Sequence, residues 1–154
     1  MQDRLIVLYD AECVLCSRLV RFIIDRDPEG KIRFASLQSD DVIRALAACA
    51  DCKLAHGAPD SLVVIERGRF LTHSSAALRI VRRLPRWRAA YAFVILPKAL
   101  RDAAYRFVAR NRYRWFGRYD ACPLPDERLR SRLVAADEAA RSVELACSRA
   151  PAPG

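Results

Sequence analysis

The chain has 154 residues, 53% of them apolar or aromatic, which suits one domain with a substantial buried core. Its formal charge of +9 is unevenly placed: between Arg79 and Arg118 eleven Arg and one Lys face a single acid, Asp102, so this window carries +11 and the remainder −2. The basicity therefore belongs to one segment, no run approaches the roughly 20 apolar residues of a spanning helix, and the short apolar stretch after Met1-Gln2-Asp3-Arg4 is wrongly flanked for a signal peptide.

Residues 5–9 form a continuous apolar run, which predicts a strand over 4–9 covered on both faces. Asp10-Ala11-Glu12 breaks the run. Cys13 and Cys16 then open a helical pattern, in which Leu15, Leu19, Phe22 and Ile23 share one face. Asp27-Pro28-Glu29-Gly30 stops that helix. Residues 31–35 alternate as a half-exposed strand, and Ser39 can cap a helix over 40–50 with Val42, Ile43 and Leu46 inward. After a loop over 51–60, residues 61–66 and 69–72 flank Arg67-Gly68 as a hairpin. Ser74 or Ser75 can cap a following helix carrying Ala77, Leu78, Val81 and Leu84. The order β-α-β-α-β-β-α is that of an α/β, thioredoxin-like sandwich, although it also fits other small α/β sandwiches.

Beyond Pro85 the chain reads as helical and basic. Pro85 and Pro97 divide it into helices over 87–96 and 98–111. Residues 110–119 alternate Arg with Tyr, Trp and Phe, and a last helix is expected from Asp126-Glu127 to about residue 147. The expected organisation is a core over 1–84, a helical extension over 85–148 packed on it in the same domain, and a frayed tail over 149–154.

The chemistry-bearing residues come next. Strand, turn, Cys-x-x-Cys and helix place Cys13 at a helix N-terminus, where free backbone N–H groups and the helix dipole favour a thiolate. In a chain without a secretion signal, such a pair reads as a redox dithiol, with Cys13 attacking and Cys16 resolving. Neighbouring Glu12 is expected to oppose the Cys13 thiolate. Asp10 reads as a turn or capping carboxylate and as a candidate proton acceptor for Cys16. Cys49 and Cys52 form a second Cys-x-x-Cys: with Cys13 and Cys16 they suggest a zinc site, alone a second redox pair, otherwise a core and a loop cysteine. Cys147 is expected to be inert, and His56 and His73 to be surface or capping residues. Six cysteines in a reducing cytoplasm would be catalytic or metal-binding rather than structural.

These residues resemble the DCC family of thiol-disulfide oxidoreductases, whose opening Asp-Gly-x-Cys-x-x-Cys is matched by Asp10, Cys13 and Cys16. Phe22 to Asp27, Arg33 to Ser39, Ser74 to Leu78, and Asn111 to Gly117 with Cys122 and Pro125 resemble later family segments. Ala11 departs from the family's Gly and would be strained at positive φ. The resemblance implies a thioredoxin-like fold and disulfide exchange with protein or small-molecule disulfides, recycled by a cellular thiol reductant and needing no bound cofactor or metal. It also gives Cys122 a place as a candidate third redox cysteine. Pro59, before the third strand, is near where such folds carry a cis-proline.

The basic segment offers a different class of function: a non-enzymatic, zinc-stabilised module that binds single-stranded nucleic acid or an anionic membrane through Arg and aromatic side chains. The preferred reading is a helical subdomain with Arg outward, aromatics inward, and no part in the chemistry. Membrane contact ranks next and nucleic acid last.

Overall fold

The computed structural model describes residues 4–49, 62–120 and 125–149. The thioredoxin-like core is a four-stranded sheet in the order β2-β1-β3-β4, made of β1 (Leu5–Tyr9), β2 (Ile32–Ser36), β3 (Val63–Glu66) and β4 (Arg69–Thr72). The pair β1–β2 is parallel, whereas β3 runs antiparallel to both β1 and β4. Arg67 and Gly68 both take positive φ, +51° and +68°, the backbone a tight two-residue hairpin requires.

The continuous apolar character of β1 has the expected cause. Leu5, Val7 and Tyr9 face one layer, where α1 (Val14–Arg26) and α3 (His73–Arg83) supply Val20, Ile23, Ala76 and Ile80. Leu8 faces the other layer, formed by α2 (Asp40–Ala48) and α6 (Ala136–Ser148) with Val42, Leu46, Ala139 and Val143. Phe34 of β2 is fully buried and meets Tyr9 edge-on at 6.3 Å.

The C-terminal part departs from the sequence expectation in several places. Pro85–Ile95 is a 3₁₀ helix, with no residue buried. Helix α4 (Lys98–Phe116) runs five residues past the expected end, until Gly117 breaks it at φ +85°. The last helix is interrupted: α5 (Glu127–Arg130) is short, and Arg132 to Val134 then pair with the free edge of β2. Phe34 N–H donates to the Arg132 carbonyl at 3.0 Å and Val134 N–H to the Phe34 carbonyl at 2.9 Å. Covering a sheet edge this way satisfies backbone groups that would otherwise template aggregation. Thr72, not Ser74 or Ser75, precedes α3; Ser74 instead bonds Asp102 of α4 through both its backbone N–H and its hydroxyl. His73 lies beside Thr72 as a helix-start residue.

Cys49, at the end of α2, forms a disulfide with Cys147 of α6, with Cα atoms 5.7 Å apart. This corrects several expectations: Cys147 is a bonded residue, Cys49 has no free thiolate for a shared zinc site or for a redox pair with Cys52, and one pair of cysteines is structural rather than catalytic or metal-binding. Cys52, His56, Pro59 and Cys122 lie outside the described residues. Among the described residues, no helix is long and apolar enough to cross a membrane.

The disulfide joins residues 98 apart, and closing so long a loop restricts the unfolded chain strongly. Cys147→Ser is expected to lower stability by about 3–5 kcal/mol in urea melts of the oxidised protein. Melts in excess dithiothreitol should bring the variant and the parent chain together.

Candidate dithiol site

The C-terminal end of β1, an inner strand, delivers Asp10, and the turn after it delivers Cys13 to the N-cap of α1 with extended backbone angles of −80° and 119°. Cys13 Sγ accepts a hydrogen bond from the Cys16 backbone N–H at 3.3 Å. Sulfur thus takes the place usually filled by a capping oxygen and satisfies one of the free N–H groups of the first turn. Both cysteines are free thiols, Cys13 wholly buried and Cys16 half-buried. Ala11 causes no strain: among the described residues the non-glycine positions at positive φ are Arg67 and His73.

The two sulfurs are electrically unlike. The Cys16 thiol donates to Cys13, and this hydrogen bond is the largest cause drawing the Cys13 pKa down to about 6. Burial opposes it; the Cys16 backbone N–H and the Arg112 charge reinforce it; Asp10 opposes it weakly. Cys16 is pushed far up, first by giving that hydrogen bond, then by burial and by the neighbouring Cys13 charge. Glu12, expected to oppose the Cys13 thiolate, has a positive partner of its own. Its carboxylate pairs with Arg118, which reaches it through both Nε and Nη2.

Asp10 is almost fully engaged. Oδ1 accepts from the Glu12 backbone N–H at 3.0 Å and from Gln38 Nε2 at 2.7 Å. Oδ2 accepts from Arg112 Nη2 at 3.1 Å and from the Tyr113 hydroxyl. Gln38 also accepts from the Ala11 N–H at 3.1 Å, so one side chain after β2 fixes the turn that carries the cysteines. The carboxylate therefore caps the turn, as expected, and in addition anchors α4.

Arg112 departs from the wet face, remote from the chemistry, that is expected for it: it is buried to 6% exposure and lies within electrostatic reach of both cysteines. Its signal was present but ambiguous, since it sits in the segment resembling the family's closing motif among arginines that do face solvent. Tyr105, two helical turns before Arg112, accepts from the Leu62 N–H at 2.9 Å, and burial raises its hydroxyl pKa.

Residues 117–119 lie across the turn. Arg118 forms an antiparallel bridge with Cys13, and the Tyr119 N–H donates to the Glu12 carbonyl at 2.9 Å. On the α1 side of the dithiol an apolar cavity of about 200 Å³ opens between α1, α3 and α4. Cys16 and Arg112 border it, with Leu15, Leu19, Tyr105 and Val108.

The sequence model of the DCC1-like thiol-disulfide oxidoreductase family matches residues 7–118. The chain is 41% identical to the uncharacterized protein YuxK of Bacillus subtilis over 130 residues, 84% of this chain and 93% of that protein. It is 37% identical to a chloroplastic DCC family protein of Arabidopsis thaliana over 126 residues, 79% of this chain and 70% of that protein. No solved structure matches it. The chain belongs to the DCC1-like thiol-disulfide oxidoreductase family, as the resemblance of its opening motif implied.

A lowered Cys13 pKa has a signed consequence. Its thiolate is present above pH 6 and is lost below it. The stabilisation that accompanies the shift is complete above the unfolded value, about 8.5, and disappears as pH falls through the folded one. Alkylation of Cys13 followed by mass spectrometry is therefore expected to show a midpoint near pH 6. In Arg112→Gln the midpoint should rise, because a favourable charge is removed. The same variant should lose about 3 kcal/mol of stability, since Asp10 is left buried without its counter-charge. An unchanged midpoint would separate Arg112 from the chemistry.

Proposed function

We propose that the chain exchanges electrons with protein or small-molecule disulfides through Cys13 and Cys16, as a protein-disulfide reductase. The observation that carries this reading is the asymmetry of the pair: an N-capping thiolate at Cys13 beside a proton-holding thiol at Cys16. The Cys13 thiolate attacks a substrate disulfide and forms a mixed disulfide, and the first substrate sulfur leaves as a thiolate that takes a proton from water. Cys16 then gives up its proton and attacks Cys13 Sγ. The Cys13–Cys16 disulfide forms, the second substrate thiol is released, and two electrons have passed to the substrate. A cellular thiol reductant, by the same exchange in reverse, restores the dithiol, and no bound cofactor is required.

Within this cycle Asp10 is chiefly a positioning residue that holds Arg112 against the sulfurs. It is also the candidate acceptor for the Cys16 proton, a role that would require it to release one of its four donors. Because Cys13 is wholly buried, an external disulfide reaches it only after the turn that carries it is uncovered. Cys122 is retained as a candidate third redox cysteine. We assign the cycle to the cytoplasm, where thiol reductants are abundant.

Cys13→Ser should reduce turnover of a small disulfide to background, whereas Cys16→Ser should accumulate mixed disulfides visible by mass spectrometry. Full activity in Cys13→Ser would overturn the mechanism. A glutathione redox titration of the parent chain should show one reversible Cys13–Cys16 couple, and its midpoint sets the direction of electron flow.

A further inference from the structure

Helix α4 is amphipathic in the reverse of the usual sense. Its polar residues Asp102 and Arg112 are buried against the rest of the protein. On the opposite face Leu100, Phe107 and Trp115 are 57%, 61% and 51% exposed. Their spacing of seven and eight residues keeps them on one stripe. Phe107 and Trp115 meet edge to face with ring centres 5.5 Å apart, so this surface is assembled rather than scattered. The preceding 3₁₀ helix adds Phe93, Val94 and Ile95, the last 85% exposed. Single exposed apolar side chains are ordinary; a stripe of them along one helix, with further exposed apolar side chains on the helix before it, marks an interaction surface.

Charge identifies the occupant. The only acid in α4 is Asp102, and it is already bonded to Lys98 and Ser74. Arg106, Arg110 and Arg114 are exposed along the flank of the apolar stripe, and Arg86 and Arg88 are exposed on the 3₁₀ helix, which has no acid. A second copy of the same face would bring like charges together. Aromatic side chains bordered by arginines instead match the boundary between acyl chains and anionic headgroups. Leu19 and Val108, both exposed, continue the surface into the cavity beside Cys16.

We propose that the outer face of α4 and the 3₁₀ helix seats this protein on an anionic lipid bilayer, with Ile95, Phe107 and Trp115 entering the interface and the arginines meeting headgroups. The inference does not depend on the redox reading, because the face lies outside the dithiol. The test is co-sedimentation of the full chain with vesicles of phosphatidylglycerol and phosphatidylcholine, alongside pure phosphatidylcholine vesicles. Binding to the anionic vesicles should blue-shift tryptophan fluorescence, and should weaken at least tenfold on neutral vesicles and in 0.5 M NaCl. Ile95→Asp with Phe107→Asp should weaken it at least tenfold, with the circular dichroism spectrum and the turnover of a small soluble disulfide unchanged. Arg110→Gln with Arg114→Gln, which leaves the apolar stripe intact, should also weaken binding and flatten its salt dependence. No binding to anionic vesicles would overturn the proposal. So would a stable dimer in sedimentation velocity that Ile95→Asp with Phe107→Asp converts to monomer, since the face would then be a contact between copies.

Discussion

The buried ion pair between Asp10 and Arg112 is the constraint from which the site and much of the C-terminal architecture follow. Their side chains are 8% and 7% exposed, so both charges have been taken almost entirely out of water. Such a pair is tolerated only when further hydrogen bonds satisfy its remaining atoms. Here the Glu12 N–H, Gln38 and Tyr113 complete the carboxylate. The donors come from the β1–α1 turn, the segment after β2, and α4. One carboxylate thus holds three separate pieces of chain in register around the two cysteines. The same requirement orients α4: with Asp102 and Arg112 turned inward, Leu100, Phe107 and Trp115 are left outward. The exposed apolar face is the geometric counterpart of the polar site.

The reactivity of the dithiol is a contest that local hydrogen bonding wins. Burial alone would raise both thiols, because it disfavours any charged sulfur. At Cys13 the Cys16 thiol, its backbone N–H and Arg112 together outweigh burial, and the pKa falls to about 6. At Cys16 every large contribution acts in the opposite direction. A single proton is therefore shared unequally between two sulfurs. The sulfur that ionises is the one that sits at the helix N-cap and accepts hydrogen bonds from both the Cys16 thiol and the Cys16 backbone N–H.

Most of the thioredoxin-like core was legible because its signals are local. The run Leu5 to Tyr9, the helical spacing after Cys13, the Arg67-Gly68 turn and the alternation around Phe34 each specify an element within a few residues. The resemblance of the opening motif supplied the family. What escaped depends on long-range pairing. Arg112 reads as one more solvent-facing arginine until Asp10, 102 residues earlier, is seen against it. Cys147 reads as inert until Cys49, 98 residues away, is placed beside it by α2 and α6. Arg132 to Val134 read as helix, because nothing local announces that the edge of β2 needs covering. Arg33 and Arg132 add long-range contacts of the same kind, one to the Ser131 carbonyl and the other to Asp27.

The two sulfur systems are separated by the architecture. Cys13 and Cys16 open α1, whose buried side chains join α3 on one side of the sheet. Cys49 and Cys147 end α2 and α6, which pack together against the other side. Thiol-disulfide exchange requires a thiolate to reach a sulfur directly along the axis of the bond being broken. A four-stranded sheet with apolar side chains on both faces stands between them. In the proposed cycle the dithiol would change redox state on one side of the sheet, while the Cys49–Cys147 disulfide tying α2 to α6 lies on the other. The sheet thus holds the candidate dithiol and the covalent reinforcement on opposite faces of one small core.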